Sequence, residues 1–158
     1  MRRLVSALFT TSMAMLVSIA LVHAATTYND TLSGSQTASA ETGSITLNLN
    51  ATGDLPGILS LSIRHEGGSI NGGTWKLTVL PPNADASSSE NGSLTGNLSG
   101  GTLTLDSNGI VTAASSVQLT VLGGTGQYAE VTGGSGTLSL AADPENSTKL
   151  GGPFACNF

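Results

Sequence analysis

Apolar residues recur at every second position over much of the chain. Ser44-Ile45-Thr46-Leu47-Asn48-Leu49-Asn50 alternates without a fault, and so does Leu59-Ser60-Leu61-Ser62-Ile63-Arg64-His65. Trp75-Lys76-Leu77-Thr78-Val79, Thr102-Leu103-Thr104-Leu105-Asp106, Val117-Gln118-Leu119-Thr120-Val121 and Thr137-Leu138-Ser139-Leu140 keep the rhythm, and Phe154, Cys156 and Phe158 repeat it. A period of two places successive side chains on opposite faces of a β-strand, one dry and one wet. The alternation therefore predicts that Ile45, Leu47, Leu49, Leu59, Leu61, Ile63, Trp75, Leu77, Val79, Leu103, Leu105, Val117, Leu119, Val121, Leu138 and Leu140 point into a core, with Thr46 and Thr78 outside. Asp30 to Thr37 reads as a first strand, and the segment around Leu94, Gly96 and Leu98 as a weaker one.

Glycine punctuates these runs. Gly67-Gly68, Asn71-Gly72-Gly73, Asn91-Gly92, Gly100-Gly101, Asn108-Gly109 and Gly133-Gly134 fall between or beside them, where tight turns need positive φ. The residues after position 24 hold 21 Gly and 36 Ser plus Thr, and all three residue types disfavour helix interiors. About eight or nine short strands with no helix signal make an all-β meander. Residues 81–90 form the one long polar loop. A sheet with one apolar face must bury it by closing on itself or stacking. Edge-protecting charges are sparse, with Arg64 and Lys76 sitting singly on separate strands, which favours closure. The expected fold is one closed antiparallel up-and-down β-barrel of about eight strands over residues 25–158.

Residues 1–24 follow another pattern. Met1-Arg2-Arg3 is a basic start, Met13 to Val22 is densely apolar, and Val22-His23-Ala24 places small residues where a signal peptidase reads. This is the layout of a secretory signal peptide with cleavage after Ala24, so the protein is expected to be secreted or periplasmic. The dense apolar stretch is too short to cross ~30 Å of hydrocarbon comfortably, and no second one follows. A barrel that spans a membrane needs aromatic girdles at both interfaces. After position 24 only Tyr28, Trp75, Tyr128, Phe154 and Phe158 are aromatic. The mature chain is thus expected not to insert into a membrane, with Phe158 closing a soluble barrel.

Charge and special residues narrow the chemistry. All 10 acids lie beyond position 24, against only Arg64, Lys76 and Lys149. With no basic cluster, a nucleic-acid partner is excluded. The single Cys156 allows no internal disulfide. One histidine in the mature chain and no Asp-x-Asp spacing leave no convincing metal site, and no cofactor is implied. There is no Gly-x-Ser-x-Gly elbow, and Gly123-Gly124-Thr125-Gly126 lacks the lysine of a phosphate loop. Two candidates for ligand contact remain on the strands. His65 belongs to the only cluster of three ionisable residues, Arg64-His65-Glu66. It reads as a base or ligand contact, or as a strand-end residue at a wet rim. Trp75, the one tryptophan, reads as a stacking platform or as core packing beside Leu77 and Val79.

From Val121 the chain runs Val-Leu-Gly-Gly-Thr-Gly-Gln-Tyr-Ala-Glu-Val-Thr-Gly-Gly-Ser-Gly-Thr-Leu. This Gly-Gly-Thr-Gly-x-Tyr run, followed by a second glycine cluster and a strand, resembles the late barrel segment of the allene oxide cyclase and dirigent-like superfamily. The resemblance implies an eight-stranded antiparallel barrel in which Tyr128 plugs one end beside glycine bends. It makes Tyr128 a third candidate contact, buried with its hydroxyl bonded. The polar groups that serve catalysis in those proteins have no residue-by-residue match here. The expectation is a binding or scaffold protein for a small apolar ligand or a surface partner. The alternative is a cyclase- or isomerase-like enzyme acting inside the barrel. No catalytic residue is assigned, and an open interior with convergent polar groups would separate the two.

Overall fold

The computed structural model describes residues 25–36, 43–80 and 91–158. Nine strands follow in order: β1 (Thr27–Ser35), β2 (Ser44–Gly53), β3 (Gly57–Glu66), β4 (Ser69–Val79), β5 (Gly92–Ser99), β6 (Thr102–Leu105), β7 (Val111–Thr125), β8 (Gly134–Asp143) and β9 (Asn146–Asn157). A 3-10 turn at Gly126–Tyr128 is the one helical piece among the described residues. The expected leader (1–24), the 81–90 loop and Thr37 lie outside these residues.

All pairings are antiparallel, and the sheet closes. The neighbours run β1-β2-β3-β4-β5-β7-β8-β9, with β9 paired back to β1. This is the closed up-and-down barrel of eight strands that the alternation predicts, with β6 as an extra strand. β6 continues the line of β5: Ser99 faces Gln118 on β7, and Thr102 faces Ser115. Gly100-Gly101 is therefore a kink within one strand line rather than the end of a hairpin. Ser116, across from the kink on β7, holds φ +55° beside a register shift between Ala114 and Val117. Such bulges sharpen the bend that a closing sheet needs. Asn71-Gly72-Gly73 is likewise not a turn. It lies inside β4, with Gly73 at φ +152°. Gly67-Gly68 does make the β3–β4 turn, bringing Glu66 opposite Ser69.

Of the residues expected inside, all but Leu105 are at most 4% exposed. Leu105 is half-buried because the β6–β7 register breaks between Thr104 and Leu105 at the barrel's end. Thr46 is exposed. An eight-stranded barrel is just wide enough for side chains to fill, and they fill it here. Leu59, Ile63, Leu77, Leu94, Val111, Ala114 and Val117 are 0% exposed, so no water-sized void adjoins them.

Trp75 takes the largest share of that space because of its cross-strand partner, Gly96. A Cβ on Gly96 would stand 2.5 Å from the indole Nε1 and collide with the Thr120 carbonyl. With no Cβ there, the ring lies across β5 and donates from Nε1 to the Thr120 oxygen on β7 at 3.2 Å. Its edge meets Phe154 at 6.1 Å and 70°.

One end of the barrel is closed by a side chain acting as a peptide group. Gln36, 7% exposed just past β1, donates from Nε2 to the Val111 oxygen at 2.6 Å and accepts from the Val111 N–H at 3.0 Å. Its amide thus adds one rung between β1 and β7, which the sheet order keeps apart.

Gln36→Ala strands both backbone groups of the fully buried Val111, so urea denaturation should show a loss of about 2–4 kcal/mol. Gly96→Ala should lose about 1–3 kcal/mol by overpacking against Trp75. Thr46→Ala, on the outer face, should stay within about 0.5 kcal/mol of the parent.

Candidate functional site

The fold does not bring His65, Trp75 and Tyr128 together. Trp75 lies in the packed interior, 2% exposed. Its rings have no open face for stacking, and its one polar atom is bonded to Thr120. His65 lies at the end of β3, on one rim. Tyr128 lies at the other rim, where β7 ends and β8 begins.

The Tyr128 rim is held by the glycines that the sequence singled out. Gly126 has φ +61°, in the left-handed region, and a Cβ there would collide with the Asn91 carbonyl. Tyr128 follows in the 3-10 turn and packs over Gly92. Its ring meets Phe158 edge-on at 6.0 Å and 87°, and Phe158 stacks on Tyr28 at 4.6 Å and 14°. Tyr128 is only half-buried, and its hydroxyl accepts from the neighbouring Gln127 Nε2 at 3.2 Å. The hydroxyl is hydrogen-bonded as expected, whereas the expected burial of the ring is corrected to half-burial. The single turn sets the ring on the rim, and Leu55, 2% exposed, reaches the core from the loop between β2 and β3. Burial pushes the Tyr128 phenol above its usual range, with Tyr28, Asp30 and Cys156 adding to the rise.

Asp30 sits beneath this rim and is 5% exposed. Its Oδ1 accepts from the Leu55 N–H at 2.9 Å, while Asp54 in return accepts from the Asn29 N–H at 2.8 Å. The two carboxylates thus clasp β1 to the β2–β3 loop. Oδ2 of Asp30 is buried without a hydrogen-bond partner. Desolvation raises the Asp30 carboxyl above its usual range; the Leu55 N–H pulls against this, and the like charge of Asp54 adds to it. Cys156, 1% exposed, has its thiol pushed up to about 12, chiefly by burial. At neutral pH it is a core side chain and no nucleophile. The alternation in the sequence reaches these groups. Asp30, Leu32 and Gln36 share the inward parity of β1, so the polar residues at the barrel's two ends were readable from Leu32.

The His65 rim carries an open concavity of about 540 Å³, lined by Gly43, Arg64, His65, Glu66, Gly67 and Asn71. A register break between Arg64 and His65 turns the strand end. The His65 N–H donates to the Gly43 carbonyl at 3.0 Å, which fixes the wall. Asn71 Nδ2 donates to Glu66 Oε2 at 3.4 Å across the β3–β4 turn. His65 is half-buried and Arg64 exposed. Among the described residues, no group of three or more His, Cys, Asp or Glu could hold a metal ion. None of their helices is long and apolar enough to cross a membrane.

No family model matches the chain, and no curated protein or solved structure does.

The raised Asp30 carboxyl sets the sign of a pH dependence. The folded chain holds this proton more tightly than the unfolded chain, whose carboxyl titrates near 3.8. The stability it contributes is full below that value and is lost as pH rises through the higher folded value. Asp30→Asn cannot ionise. Relative to the parent, the variant should therefore gain stability as pH rises from 3.8, read from urea midpoints across the acid range. A constant difference would contradict the buried, penalised carboxylate.

Proposed function

We propose that the protein is a secreted or periplasmic binding or scaffold protein that meets its ligand or partner at the His65 rim and on its outer surface, not inside the barrel. The observation that carries this reading is the filled interior. Residues from β3, β4, β5 and β7 at the centre are 0% exposed, so an apolar guest in the lumen would have to displace core side chains. The closed barrel and the glycine bends around Tyr128 are what the resemblance to the allene oxide cyclase and dirigent-like proteins implies, and membership in that superfamily is part of the proposal. A cyclase- or isomerase-like enzyme draws support from one feature, the unpartnered Oδ2 of buried Asp30 near Tyr128. Against it, Asp30 is only 5% exposed, so a substrate would have to displace the neighbouring side chains to meet that oxygen.

Native mass spectrometry of protein recovered from a secreting host shows whether a small molecule travels with it, and hydrogen exchange then locates the molecule. A bound molecule should slow exchange at Gly43 and residues 64–67 and leave Leu61, Trp75 and Leu119 unchanged. Protection confined to those core residues would contradict the rim reading and revive the interior site.

A further inference from the structure

We propose that the concavity at the His65 rim is an oxyanion site, with Arg64 as the anchor for a carboxylate or phosphate group of a small ligand. The inference rests on the rim reading above and adds the chemistry of what binds there. Arg64 leaves β3 opposite Gly72 on β4. With no side chain at Gly72, the guanidinium lies against the β4 backbone: a Cβ there would stand 3.2 Å from Nη2. The head group thus lies along the wall of the concavity while remaining exposed to solvent. Among the described residues no carboxylate pairs with it. The acid in the same concavity, Glu66, takes a hydrogen bond from Asn71 instead.

In a chain with 10 acids and few cations, an arginine that is seated with no carboxylate partner among the described residues is the feature to explain. A guanidinium presents a planar fork of donors that matches the two oxygens of a carboxylate or phosphate. His65 lines the same concavity and adds a ring N–H donor. The chain's net negative charge opposes an anion at long range. At physiological salt, however, charges beyond about 8 Å are largely screened. The balance is then local, with Arg64 attracting and Glu66 repelling.

The test is a titration of the isotope-labelled protein with sodium acetate and with sodium phosphate, followed by amide chemical shifts, with sodium chloride at matched ionic strength as control. Saturable shifts should appear at Gly43, residues 64–67 and Asn71 with acetate or phosphate, and the anion that saturates at lower concentration names the group. Arg64→Gln should raise the dissociation constant about tenfold or more. Glu66→Gln should lower it, an opposite change that no loss of folding would mimic. Shifts that chloride reproduces, shifts that never saturate with either anion, or an Arg64→Gln variant that binds as the parent does would overturn the oxyanion site. A co-purified molecule that protects the concavity yet binds Arg64→Gln unchanged would leave the rim reading standing and sink this inference alone.

Discussion

The lumen of an eight-stranded barrel has room for side chains and little more, and the seat that Gly96 leaves for Trp75 decides how this one is used. The indole spans from β4 across β5 to a carbonyl of β7, so one side chain ties three strand lines together. The Ile, Leu and Val set closes around it and Phe154. The barrel then has a dry centre, without a disulfide or any group of residues that could hold a metal among the described residues. Chemistry is displaced to the two rims and the outer face, and the functional reading follows from that displacement.

The rims are closed by different means. At one end Gln36 supplies an amide where two strands lie too far apart to pair. At the other, Asp30 and Asp54 clasp β1 to the β2–β3 loop, and Tyr28, Phe158 and Tyr128 form an aromatic edge. The second arrangement is the more costly, because a carboxylate is buried there with one oxygen unpartnered. It lies in the short β1–β2 ladder, whose four register pairs are few beside the nine that join β1 to β9. The clasp thus falls where backbone pairing alone holds the barrel least.

Alternation made the fold legible, because a one-residue error would have turned each strand inside out, and the burial of Ile45, Leu61, Leu77 and Leu138 shows the parity was right. Glycine was read less well. Gly67-Gly68 turns the chain, whereas Gly100-Gly101 kinks one strand line and Gly72-Gly73 stays within β4; local sequence is much the same in all three, and only the partners across the sheet distinguish them. The site was the least legible part. His65, Trp75 and Tyr128 were chosen for their chemistry, one residue at a time, and strand connectivity then sent them to one rim, the core and the other rim. Arg64 gained its place from a glycine on the neighbouring strand, a relation that appears once the β3–β4 register is known.

The barrel's interior is a packed core, and the chain's single tryptophan reports on it directly. Trp75 fluorescence should be blue-shifted, resist quenching by iodide, and stay unchanged when an apolar probe such as a long-chain fatty acid is added. A red-shifted or readily quenched emission, or one that changes saturably with the probe, would mean an open lumen in place of a packed core.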